Sequence, residues 1–174
     1  MESEQGETQT FHLNDIRPSC FRLFLEWIYS QTLSVFTIQD LTSNQDPEDD
    51  LTVINFFIDQ DLDLAQLWLL AERLLIPALQ NEVMKQLLSK LHANDWTTDW
   101  IPYAWANSES GSAIRKFAVD LCVRHVKNDA YRDNPEHFPH ELLIIVAACL
   151  SGLAEPVTSK GELQTEHYLV REGG

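Results

Sequence analysis

Apolar residues recur at helical spacing along most of the chain. After Arg17-Pro18, Phe21, Phe24, Leu25 and Ile28 stand three and four apart. That pattern predicts a helix opening at the proline, tolerated in a first turn, and ending between Tyr29 and Thr32. From Asp61, the residues Leu64, Leu67, Trp68, Ala71, Leu74 and Leu75 form a broad apolar face, behind acids that suit the positive end of a helix dipole. Pro77 disfavours helical backbone at Ile76, so the spacing predicts two helices joined there rather than one. The second runs from Pro77 to about Leu91, with Leu79, Val83, Leu87 and Leu91 four apart. HANDWTTD (92–99) reads as a linker or cap, and a short helix carries Trp100, Tyr103 and Trp105. The turn SESGS (108–112) places Ser112 to cap a helix striped by Ile114, Phe117, Ala118 and Leu121. NDAYRDNPEHF (128–138) is a polar connection. Pro139 opens a last helix with Leu142, Leu143, Val146, Ala147 and Leu150 apolar, and Gly152 suits its stop.

Shorter segments read differently. TFHL (10–13) alternates and predicts a short strand, and TLSVFTI (32–38) reads as an edge strand. LTVINFFI (51–58) is too short to type by periodicity, and its β-branched and aromatic content favours an extended conformation. Residues 40–50, acidic and holding Pro47, form a loop. The expected fold is mainly α, helical hairpins with at most a few short strands. The expected layout is a loose N-terminus at 1–9, a first unit at 10–91, a helical extension at 92–153 and a polar tail at 154–174.

Composition narrows the class. The 174 residues are 44% hydrophobic and 22% charged, which is globular, and the formal charge is −15. Nucleic acid is disfavoured as a partner, since phosphate binding rests on Lys and Arg, and so is an anionic membrane surface. No Lys or Arg lies between Arg22 and Arg73, a span that holds Asp40, Asp46, Glu48, Asp49, Asp50, Asp59, Asp61 and Asp63. This is either a solvated acidic face or a steering patch for a basic partner. Cys20, Cys122 and Cys149 are too few and scattered for a disulfide framework, and the start lacks the features of a signal peptide. The most apolar stretch, 67–91, is interrupted by Glu72-Arg73 and Pro77, so it does not read as a membrane span. The expected compartment is cytoplasmic or nuclear.

Candidate chemistry is sparse. Cys122, His125, His137 and His140 form two pairs that could hold zinc, but CxxH and HxxH are not the usual pairings, and Cys122 also fits a helix core. HFPHE lacks the order of a metalloprotease motif, and neither a GxSxG elbow nor a glycine-rich phosphate loop occurs. A small zinc-binding helical protein is therefore an alternative, while no catalytic set and no cofactor are expected. The C-terminal REGG ends in diglycine as ubiquitin-like modifiers do, but the helical remainder does not fit their fold. Trp100 and Trp105 are candidates for a partner surface, because aromatics are enriched at interface hot spots; filling a gap between helices is the other reading.

Three segments together resemble a family. FRLFLEWIYSQTL (21–33) looks like the F-x-x-F-L-x-W-I-Y helix end of BTB/POZ domains. LWLLAERLLIPALQNEVMKQL (67–87) is similar to their helical hairpin. IPYAWANSESGSAIRKFAVDLCV (101–123) resembles the segment after the hairpin in fungal members. The resemblance spans about residues 10 to 150. It implies the second half of a BTB/POZ domain plus its helical C-terminal extension, a truncated α+β unit without the N-terminal strands. It further implies a non-enzymatic adaptor or scaffold that forms homo- or hetero-oligomers and recruits cullin-type ubiquitin ligase scaffolds. The implied contact face takes in the end of the first helix, with Trp27 and Tyr29, and the turn from Leu75 to Leu79. A fragment without independent function is the remaining alternative. Phe21, Leu25, Trp27, Leu70, Ala71 and Leu74 are expected in the core, as apolar helical stripes usually are.

Overall fold

The computed structural model describes residues 15–35, 50–156 and 163–171, with 50–58 as backbone only. The fold is mainly helical, and the described residues contain helices and turns but no strand. In chain order the elements are α1 (Pro18–Ser30), α2 (Asp50–Arg73), α3 (Pro77–His92), α4 (Ile101–Asn107), α5 (Ala113–Arg124), α6 (Asn128–Asp133), a 3-10 turn (Pro135–His137), α7 (His140–Leu150) and a final 3-10 turn (Thr165–Tyr168). The hairpin of α2 and α3 is the centre. Helices α1 and α4 also pack on α2, and α5 packs against α4, α7 and the final turn.

The helical periodicity places most of the core. Leu64, Leu67, Trp68 and Ala71 of α2 and Leu79, Val83, Leu87 and Leu91 of α3 are buried, as are Ile114, Phe117, Ala118 and Leu121 of α5. Ser112 caps α5, accepting a hydrogen bond from the Arg115 N–H at 3.4 Å. Trp100 stacks on Phe117 with centroids 5.9 Å apart, and Phe117 meets Tyr168 edge-on at 5.4 Å. One apolar core therefore takes residues from both sides of position 91.

Several expectations change. LTVINFFI is helix, the opening of α2, and not extended. A strand needs a neighbouring strand for its backbone groups, whereas a helix satisfies them internally. Once a helix is nucleated each added residue gains a bond, which outweighs a β preference of at most ~1 kcal/mol. Asp61 and Asp63 consequently sit inside α2, not in its first turn, and both are buried. Residues 32–35 of the expected edge strand have no regular structure, and 36–38 lie outside the described residues, as do TFHL and the acidic loop up to α2. The 128–138 connection holds α6 and a 3-10 turn. Part of the segment read as a polar tail belongs to the core: Leu163 and Tyr168 are each 1% exposed, and the Tyr168 hydroxyl donates to Asp120 at 2.6 Å.

Three helices end in the same way. In α2, α3 and α7 the second residue after the helix is left-handed: Leu75 (φ 56°), Asn94 (φ 58°) and Gly152 (φ 71°). In each, that residue's N–H and the next bond back into the last turn, as Leu75 to Glu72 at 3.1 Å and Ile76 to Ala71 at 2.9 Å do in α2. This is the Schellman stop, which favours glycine and then asparagine because they tolerate positive φ. Leucine is the odd residue of the three.

Candidate functional site

The sequence-derived partner candidates divide sharply by burial. Trp27, Leu79, Trp100 and Trp105 are 9%, 0%, 1% and 6% exposed, so they are packing residues and not contacts. The Trp100 ring fills the space beside Phe117, and its indole N–H donates to the Thr97 carbonyl at 3.0 Å. The Trp105 N–H is used by Glu141 at 2.9 Å. Tyr29 and Leu75, in contrast, are each 86% exposed.

Tyr29 stands on the outer face of α1. The inner face buries Cys20, Leu23 and Trp27 at i, i+3 and i+7. Phe21, Leu25, Ile28 and Tyr29, at i, i+4, i+7 and i+8, are 39%, 39%, 44% and 86% exposed. Phe21 and Leu25 thus leave the expected core, because among the described residues the packing on α1 is with its inner face. Both ends of α1 are tied down. Arg17 donates to Asp59 at 2.6 Å and lies 3.4 Å from Asp63, and its backbone N–H reaches the Gln66 side chain. At the other end Gln31 turns left-handed and its N–H returns to Trp27, while the Glu26 carboxylate accepts from the Ser34 N–H at 2.8 Å. The apolar outer face is therefore presented on a fixed helix.

Leu75 stands at the α2–α3 turn, on the rim of a cleft of about 550 Å³ lined also by Trp68, Glu72, Pro77, Ala113 and Arg171. Arg73 is exposed beside it and pairs with Asp15 at 2.6 Å. The Glu72 carboxyl is pushed above its ordinary value by partial burial and then by Glu109. A bulky apolar residue is thus held in strained backbone, out in solvent, next to a concave surface. Strain of this kind concentrates where function requires it. The sequence pattern put Leu75 at the end of an apolar helix face, and the family resemblance put it in the contact turn; the local signal for its exposure is its position just before Ile76-Pro77, where the helix stops.

The zinc alternative finds no support in the geometry. Among the described residues no three His, Cys, Asp or Glu side chains group as a metal site requires. Burial pushes the Cys122 thiol up to about 12, and its backbone carbonyl accepts the Tyr131 hydroxyl at 2.8 Å. His125 lies edge-on to Trp96, and burial, then Arg124 and His92, hold it below the ordinary imidazole value. His140 is exposed at the start of α7. His137 lies between the Thr98 hydroxyl, 2.8 Å from Nδ1, and the Asp99 carboxylate, 3.0 Å from Nε2. That row latches the 3-10 turn to the segment before α4.

Two polar anchors were not legible in the sequence. Lys90 and Asp61, each 1% exposed, pair at 3.1 Å, and Asp61 also accepts from the Thr97 N–H and hydroxyl. Burial pushes the Asp61 carboxyl up from its ordinary value, against the opposing pull of Lys90 and Thr97. Arg115 closes the α4–α5 corner, donating to the carbonyls of Trp105 and Ser108 and lying over the Trp105 ring at 4.7 Å. A cation at these carbonyls suits the negative end of α4. Beside it, a cleft of about 230 Å³ between α5 and α7 is lined by Val119, Ile145, Cys149 and Pro156.

No helix among the described residues is long and apolar enough to cross a membrane. No family model, curated protein or solved structure matches the chain.

Proposed function

We propose that the chain is a non-enzymatic protein-interaction module of the BTB/POZ kind, acting as an adaptor in the cytoplasm or nucleus. The partner class is a cullin-type ubiquitin ligase scaffold, which docks on the α2–α3 turn and the end of α1. The observation that carries this reading is Leu75: strained at φ 56°, 86% exposed, and on the rim of a cleft of about 550 Å³. Glycine would serve the turn better, so a leucine there points to a role outside the fold. Tyr29, equally exposed, supports it from the end of α1. Tyrosine is among the residue types enriched at interface hot spots. The three free thiols suit a reducing compartment.

The test is a binding titration of the purified chain against the N-terminal helical region of a cullin-type scaffold. The expected affinity is micromolar or tighter. Leu75→Gly and Tyr29→Ala should each weaken it by roughly tenfold or more, as loss of an anchor does, with the fold intact by circular dichroism. No saturable binding, or binding that ignores both substitutions, rejects the reading.

A further inference from the structure

The cleft beside Leu75 holds two polar groups that the fold leaves unused. Trp68, 1% exposed, lines it, and its indole N–H has no hydrogen-bond partner among the described residues. A buried donor without a partner is uncommon in native proteins and calls for an acceptor. Glu72 stands one turn further along α2 and lines the same cleft. Burial and then Glu109 act against its negative charge, and among the described residues no cation or hydrogen-bond donor offsets them. Pro77, Ala113 and Val170 supply apolar wall, and the volume of about 550 Å³ falls in the ~300–1,000 Å³ range of ligand clefts. Asn81 of α3 holds the Val170 backbone, which keeps Arg171 on that side, while Glu72 senses Glu109 on the α4–α5 turn.

We infer that the cleft takes a linear peptide segment of a protein partner, in which a basic side chain pairs with Glu72, a backbone carbonyl accepts from the Trp68 indole N–H, and an apolar neighbour packs on Leu75. Each part answers a group on the page. A lysine or arginine supplies the cation that Glu72 lacks, in a charge-assisted bond, and a chain of formal charge −15 draws such a segment in. A peptide carbonyl is the acceptor that every residue of a partner carries. Leu75 and Arg171 are exposed on the edges, so the cleft is open and suits a segment that enters and leaves it. The inference rests on the Leu75 turn being a partner surface and not on which scaffold docks there.

The test uses the full chain, labelled with ¹⁵N, and three pools of acetylated pentapeptide amides with a central lysine, glutamine or glutamate between randomised apolar residues. The lysine pool should shift the Trp68 indole N–H resonance in a saturable way, and the glutamate pool should bind at least tenfold more weakly because its carboxylate meets Glu72. Glu72→Gln, at a half-buried position, should weaken the lysine pool by about tenfold and erase its advantage over the glutamine pool. Trp68→Phe should weaken both pools by roughly fivefold, for the loss of one hydrogen bond. Added salt should weaken the lysine pool more than the glutamine pool. The proposal is overturned if no pool binds, if the glutamate pool binds as tightly as the lysine pool, if Glu72→Gln changes nothing, or if the Trp68 N–H of the unsubstituted protein does not move. A cullin-type scaffold that binds through Leu75 while the pools fail overturns this inference and leaves the earlier reading standing. Pools that bind as expected while no scaffold does support this inference and reject the scaffold.

Discussion

Lys90 carries an ammonium into the interior, where a carboxylate and an amide help to hold it. It lies 3.1 Å from Asp61 and donates to the Gln60 side chain at 2.9 Å. Removing one member of a buried pair strands the other, so Lys90→Met should lower the unfolding free energy by ~3–5 kcal/mol, while Asp61→Leu added to it should recover most of the loss. Urea unfolding of the two single variants and the double measures this. Burial raises the Asp61 carboxyl from the ordinary value of 3.8 even beside Lys90, so stability falls as pH rises through that range in both proteins. Without Lys90 the carboxyl holds its proton to still higher pH, so the Lys90→Met loss should grow once Asp61 has ionised in the unsubstituted protein. In the sequence, Asp61 reads as an acid at a helix start. Nothing local distinguishes a solvated acid from a buried one, because the difference is made by a cation on another helix.

At the scale of elements, the stops are more informative than the stripes. Asn94 and Gly152 are residues that a left-handed stop accepts, and Leu75 is not. Leu75→Gly should therefore stabilise the chain by about 1 kcal/mol, the strain of a left-handed residue with a Cβ, raising the thermal midpoint in calorimetry. The same substitution is expected to weaken partner binding, a trade of stability for function. Helix existence was legible from periodicity for α1, α3, α4, α5 and α7, and the break at Ile76-Pro77 was legible from proline chemistry alone. The start of α2 was not. Its first turns carry residues that favour strands in general, and attachment to the strong helix that follows decides the matter. Nor was the outward face of α1: Phe21 and Leu25 have the spacing of core residues, and only the placement of neighbours shows which side of the helix is packed.

Across the whole molecule, the last described residues close the core. Tyr168 packs against Phe117 and bonds to Asp120, and Asn81 holds the Val170 backbone through both its N–H at 2.7 Å and its carbonyl at 3.0 Å. Tyr168→Ala should cost ~3–5 kcal/mol, as deletion of a buried aromatic does, and Tyr168→Phe about 1.5–3 kcal/mol for the bond to the carboxylate alone. Equilibrium unfolding of the two variants separates packing from hydrogen bonding. The sequence by itself determined that the chain is mainly helical, where its central hairpin folds, and that Ser112 caps α5. These are local matters, set by side-chain spacing, proline and a single hydroxyl. Only the tertiary structure decided which apolar residues are exposed, which acids are buried, and that a polar-looking tail supplies an aromatic to the core. Burial belongs to pairs of surfaces distant in sequence, and the spacing of residues along one helix does not say whether another helix lies opposite.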